Sequence, residues 1–207
     1  MTGPAIMLKP GQAPLILASQ SRARQEVLAA AGLVFDAVPA SLDERAIEAD
    51  SGLVAPGAVA DCLARAKAIA VSESYSGRYV IGADQTLALG DRRFSKPAGR
   101  AQAAAQLQAL AGQTHQLHSA VAVVRDGHVL FADVAVAHMT MRPLTPADIE
   151  AYLDAAGAAA LTSVGAYQLE RIGIHLFARI DGDHFTILGL PLLPLLAFLR
   201  SEGLLTF

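Results

Sequence analysis

The chain has 207 residues, of which 53% are hydrophobic and only 17% charged, so a disordered chain or a staple-dependent miniprotein is excluded. A net charge of −3 and an aromatic content of 5% argue against the basic grooves and stacking platforms of a nucleic-acid binder.

Residues 1–13 carry Gly3, Pro4, Pro10 and Gly11 and read as a loose arm. Pro14–Ala18 is too short for a secretory apolar core, and Leu15–Ala18 reads as a short buried strand. Arg22–Ala31 sets Val27, Leu28 and Ala31 on one helical face, with Gly32 as its stop, and Phe35–Val38 reads as a second strand. Alanine dominates Ala58–Ser74, which predicts a long helix. That helix holds Cys62, the single cysteine, which excludes an intramolecular disulfide and a cysteine-rich zinc site and suits a reducing compartment. Tyr79–Ala83 reads as a buried strand with Asp84 just past its end, and Arg100–Leu110 as a helix. Two β-rich runs between Gln116 and Met141 meet at Asp126-Gly127, a strong hairpin signal. Thr145 caps a helix near Pro146–Ala155, with Asp148 and Glu150 close to its positive end. Ile174–Ile180 and Phe185–Leu188 read as strands around the turn Asp181–Asp183, before a last helix from about Leu192 to Arg200. The apolar stretch Phe185–Leu199 is too short to span a bilayer and contains Pro191 and Pro194, so the expectation is no membrane and a cytoplasmic location. Strands and helices alternate but hairpins intrude, which predicts an α/β class with a mixed sheet flanked by helices. Residues 14–207 are expected to form one domain, with a division into two lobes left open.

Three constellations could carry chemistry. In Ser19-Gln20-Ser21-Arg22-Ala23-Arg24 a buried strand empties into a helix, leaving backbone N–H groups, hydroxyls and a guanidinium for an anion. The alternative is a plain Ser21 N-cap with the arginines on a solvated helix face. Asp84, within Gly82-Ala83-Asp84-Gln85, stands where open α/β sheets place catalytic groups and could hold Mg²⁺ or orient a water, or be a turn residue. Gly82 would admit a close backbone or substrate. Asp43-Glu44, Lys67 and Lys96 are bland singly, but carboxylates with separated cations suit a metal–polyphosphate pair. His115, His118, His128, His138, His175 and His184 show no metal-ligand spacing and read as exposed or core-satisfied.

Taken in order, these stretches resemble the Maf, or septum-formation inhibitor, family of nucleotide pyrophosphatases. Leu17–Arg24, Asp43-Glu44, Ala64–Ala68, Ile81–Thr86 and Lys96-Pro97 carry the resemblance, followed by Ala111–His115, Gly165–Tyr167, Ile180–Asp183 and Gly189–Leu192. The resemblance spans about residues 15–200. It implies an elongated α/β fold with a central cleft, a homodimer, and dependence on a divalent metal, Mg²⁺ or Mn²⁺. The implied reaction cleaves a nucleoside triphosphate substrate between the α and β phosphates, giving a monophosphate and pyrophosphate. Asp84 matches the catalytic aspartate and Glu44 the second acidic residue, the pair expected to hold the metal. Ser19, Ser21, Arg24, Lys67 and Lys96 fall on the phosphate side.

One departure bears on substrate choice: the family's Pro and following Arg or Trp are replaced here by Arg22 and Ala23. The family branches also differ after the catalytic aspartate and in the later motif, where this chain has Gln85 and Glu170. That pair matches the branch favouring 7-methyl-GTP over the one favouring dTTP and UTP. An ionised Glu only accepts hydrogen bonds, which suits guanine's N1–H and exocyclic amine and a methylated, cationic ring still better. The rival reading of Glu170 is a surface ion pair with Arg171. At the level of function, the rival class is a nucleotide sensor or division regulator that binds without turnover.

Overall fold

Ile16 and Leu17 are fully buried, and the strand they form seeds the sheet. The structure is a computed structural model that describes residues 7–207. In chain order the elements are β1 (Leu15–Leu17), α1 (Arg22–Ala30), β2 (Phe35–Ala37), α2 (Glu44–Ser51), α3 (Pro56–Ser72), β3 (Val80–Leu89) and β4 (Arg92–Phe94). There follow α4 (Arg100–Leu110), β5 (Thr114–Arg125), β6 (His128–Met141), α5 (Pro146–Ala156), β7 (Phe177–Asp181), α6 (His184–Ile187) and α7 (Leu192–Ser201). The seven-stranded sheet runs β2-β1-β3-β5-β6-β7, with β4 paired to β3. It is mixed: β1 lies parallel to β2 and β3, whereas β4 and β7 pair antiparallel with β3 and β6.

The chain forms two compact units, the first from the residues up to Gln85, Ser119–Ala135 and Leu188–Phe207, the second from Thr86–His118 and Val136–Ile187. In the first, the parallel strands are covered by α3, whose Ala60, Ala64 and Ala68 meet Ala120, Ala122 and Val80. Small residues let this helix lie close to the strands. Leu192, Leu195 and Leu199 of α7 are buried, and Phe198 stacks on Phe131 at 4.9 Å between ring centroids. Met7–Lys9 depart from the expected loose arm: Leu8 is buried and bridges to Leu205, and Lys9 N donates to Leu204 O at 2.9 Å. The rest of that arm, residues 1–6, lies outside the described residues.

The second unit packs α4 and α5 around Leu87, Leu107, Leu117, Met139, Met141 and Leu153. The Thr145 cap forms as predicted, as a reciprocal capping box with Asp148. The hairpin between β5 and β6 turns on Asp126 and Gly127, both at positive φ (50° and 77°), as a two-residue turn requires.

Three expectations fail, and one helix was not foreseen. β3 runs on through Asp84 to Leu89, so Asp84 lies mid-strand, not past the strand's end. Phe185–Leu188 is not a strand: Asp183 Oδ2 accepts from Thr186 N at 2.9 Å and from Thr186 Oγ1 at 3.1 Å, capping the short helix α6. Ile174–Leu176 belong to a 3-10 turn, and β7 begins only at Phe177. Helix α2 escaped prediction because it buries none of its residues and so leaves no apolar period.

His115 is the one fully buried histidine, set among Tyr167 and Phe177 with Nε2 at 2.7 Å from the Tyr167 hydroxyl. Burial pulls its pKa down from 6.5 to about 4. Between those values the unfolded chain binds the extra proton and the native one does not, so stability present above about pH 6.5 is lost as pH falls toward 4. The shift corresponds to about 3 kcal/mol. Urea denaturation at stepped pH is expected to show this loss, and His115→Gln to flatten it; an equally steep decline in the variant would contradict the assignment.

Candidate active site

Gly82 and Asp84 are two residues apart on β3 and therefore face the same side of the sheet. That side carries α3. A Cβ at Gly82 would lie 2.0 Å from the Ala64 carbonyl oxygen and 2.9 Å from the Ala68 Cβ, so helix backbone rests directly on the glycine. The close approach anticipated at Gly82 is thus by backbone. One turn past Ala64, Lys67 reaches over the strand, and its Nζ lies 2.7 Å from Asp84 Oδ1. The two side chains are only 11% and 12% exposed.

The acidic pair divides its labour. Asp43 Oδ1 accepts from Arg45 N and Ala46 N, both at 3.1 Å, and caps α2. The cap sets Glu44 at the first helical residue, where its Oε1 lies 3.0 Å from the same Lys67 Nζ. One ammonium therefore ties two carboxylates.

The turn from β1 into α1 supplies a second cation. Ser21 is the N-cap, its Oγ accepting from Arg24 N at 3.5 Å. Ser19 is buried, and its Oγ accepts from Ser21 N at 3.2 Å and from Arg24 Nη1 at 3.3 Å. Arg24 Nη1 also donates to Ala83 O at 2.7 Å, and Nε to Gly189 O at 2.8 Å. The two arginines of α1 thus part ways. Arg22 is solvated, 82% exposed and paired with Glu26, while Arg24 turns inward. The N-cap reading holds for Ser21 and the solvated-face reading for Arg22, while Arg24 departs from that face.

Burial pushes the Asp84 carboxyl above the usual aspartate range, against the pull of Lys67 and Arg24. Burial likewise lowers the Arg24 guanidinium, while Asp84 and Glu44 oppose it. Two carboxylates and two cations cancel formally, which leaves a polar cluster with no excess charge of its own. Among the described residues no group of three or more His, Cys, Asp or Glu converges, so an all-protein metal cage is absent. Asp84 and Glu44 each place one oxygen on Lys67, and as a donor set two carboxylates suit a divalent ion that takes one or two carboxylates and completes its shell with phosphates and water.

Ser19, Ser21, Arg24, Glu44, Lys67 and Asp84 are thus brought together in the first unit. Gln85, on the opposite face of β3, donates from Nε2 to Ser119 Oγ at 2.9 Å. Ala23 is half-buried on α1. Lys96 and Glu170 are exposed residues of the second unit. Glu170 there lines a cavity of about 420 Å³ with Leu169, Arg171, Ile174, His184 and Ile187. Sequence reasoning missed the carbonyl groups of Ala83 and Gly189 and the hydroxyl of Ser119. Carbonyls carry no residue signature; the Gly-Leu-Pro stretch at 189–191 was the only available hint.

Residues 14–202 match the Maf family, described as Maf-like protein. A nucleoside triphosphate pyrophosphatase of Rhodopseudomonas palustris is 68% identical over 195 residues, 94% of this chain and 96% of the relative. One of Bradyrhizobium diazoefficiens is 66% identical with the same coverage. A 7-methyl-GTP pyrophosphatase of Mesorhizobium japonicum is 57% identical over 192 residues, 91% of this chain and 96% of the relative.

The seat of α3 on Gly82 can be tested without any substrate. Gly82→Ala forces a methyl group against the Ala64 carbonyl and is expected to cost about 3 kcal/mol or more in urea denaturation. A variant as stable as the wild type would show that helix and strand are not in contact there.

Proposed function

This chain belongs to the Maf family, and from that premise we propose that it is a nucleoside triphosphate pyrophosphatase, hydrolysing its substrate to a nucleoside monophosphate and pyrophosphate. The observation that carries the proposal is the Lys67 bridge between Asp84 and Glu44 beside the inward-turned Arg24.

Each residue has a chemical task. The Ser19–Ser21 turn and the N-terminus of α1 offer donors to phosphate oxygens. Three of the five N–H groups of Arg24 are held by Gly189 O, Ala83 O and Ser19 Oγ; among the described residues no protein acceptor meets Nη2, which is left for a phosphate oxygen. Lys67 adds a second cation, and both oppose the negative charge that gathers on the departing pyrophosphate. Asp84 orients the attacking water and takes its proton as the new P–O bond forms and the α–β anhydride breaks. Its burial makes it a stronger base than a solvated aspartate, against the opposing pull of Lys67 and Arg24. Asp84 and Glu44 would hold a divalent cation, Mg²⁺ or Mn²⁺, whose chemistry is to neutralise phosphate oxygens. Lys96 enters through the resemblance alone.

The base preference belongs to the same proposal. A 7-methyl-GTP pyrophosphatase stands among the relatives, and Gln85 with Glu170 supports a leaning toward that base. Ala23, too small to stack on a base, favours a broader range than a Trp there would allow.

Two measurements follow. Asp84→Asn is expected to lower kcat by a factor on the order of 10² or more while keeping the wild-type circular dichroism. Wild-type turnover in a metal-replete variant would remove Asp84 from the mechanism. In a panel scored for pyrophosphate release, 7-methyl-GTP should be cleaved faster than UTP and dTTP, and Glu170→Gln should narrow the difference. Far faster cleavage of UTP and dTTP, unmoved by Glu170→Gln, would overturn the preference.

A further inference from the structure

The geometry points to Gly189 as a positioning residue that aims the Arg24 guanidinium, an inference that rests on the pyrophosphatase reading only for its kinetic consequence. Gly189 is 165 residues from Arg24 in the chain, yet its carbonyl oxygen takes the Nε–H at 2.8 Å. Among the described residues this is the only acceptor on the Nε edge, whereas Nη1 is held by Ala83 O and Ser19 Oγ. Three fixed acceptors on two edges of a planar group determine its orientation, so the direction in which Nη2 points follows from where these oxygens stand.

Gly189 is suited to this in two ways that another residue would not match. Its φ of +87° lies in the left-handed region, where L side chains are strained, and in this conformation its carbonyl meets the Arg24 side chain of α1. It also leaves space that Arg24 fills. A Cβ at Gly189 would stand 3.3 Å from Arg24 Nε and 3.4 Å from Nη2, with the Gln85 Cδ at 3.7 Å. The guanidinium cannot yield without stretching its bonds to Ala83 O and Ser19 Oγ, so a side chain at 189 displaces the group that meets phosphate. The displacement is a few tenths of an ångström. Misplacement of a reacting or binding group by about 1 Å costs about a hundredfold in rate, so about tenfold is expected here.

The test uses the full-length protein labelled with ¹⁵N-arginine, with the Arg24 Nε–H resonance assigned by its disappearance in Arg24→Lys. In the wild type that proton should exchange slowly with solvent; fast exchange would overturn the inference without any variant. Gly189→Asn, chosen because Asn enters the left-handed region more readily than other side chains, should speed the exchange and lower kcat/KM about tenfold. In the Arg24→Lys background the same substitution should change kcat/KM little. An equal loss in both backgrounds, or an unchanged Arg24 resonance in Gly189→Asn, would show that Gly189 acts elsewhere. Absence of pyrophosphate release from the wild type would instead sink the proposed activity and leave the exchange measurement to decide the role of Gly189.

Discussion

An ammonium group taken out of water must find compensating charge, and Lys67 finds it in Asp84 at 2.7 Å and Glu44 at 3.0 Å. The rest of the first unit is arranged so that this contact can form. It requires α3 to lie within backbone contact of β3, which in turn requires glycine at 82 and alanine at 60, 64 and 68. It also requires α2 to begin at residue 44, which the Asp43 cap provides. Buried ion pairs add little net stability compared with well-packed apolar groups, because desolvation offsets most of the attraction. A cluster of this kind, in a chain with so few charges, is better accounted for by chemistry than by folding.

Arg24 obeys the same constraint by another route. Its partners on the scaffold are two backbone carbonyls and one hydroxyl, all neutral, so its charge stays largely uncompensated by direct contact while its orientation is fixed. A cation held in this way suits the role proposed for it, that of meeting an anion that arrives from outside. The two cations differ accordingly: Lys67 is tied to the carboxylates, and Arg24 is aimed. Electrostatic preorganisation of this sort needs no rearrangement of the protein when charge develops on a phosphate.

Much of this was legible in the sequence. The buried runs, the alanine-rich helix, the Asp126-Gly127 turn and the Thr145 cap each follow from a local rule, and each formed. The candidate residues Ser19, Arg24, Glu44, Lys67 and Asp84 were also named from their chemistry and order. Their convergence was implied by the family resemblance and could not be read from the residue pattern itself. Glu44 sits on a helix with no buried face, so no periodicity announced α2. Asp84 lies in the middle of a strand whose second half, Gln85–Leu89, has the mixed polarity of a turn region until burial is known. A four-residue apolar run such as Phe185–Leu188 fits either a strand or a helix by pattern alone, and the Asp183 cap settled it. The carbonyls that hold Arg24 belong to the backbone and are invisible to any reading of side chains.

The proposed activity breaks one bond, the anhydride between the α and β phosphates. ³¹P NMR of a nucleoside triphosphate incubated with the protein and Mg²⁺ observes that bond directly, because each product has its own resonance. Monophosphate and pyrophosphate signals are expected to grow together while the three triphosphate signals decay. Growth of nucleoside diphosphate and orthophosphate, or no change across 7-methyl-GTP, GTP, UTP and dTTP, would contradict the proposed activity.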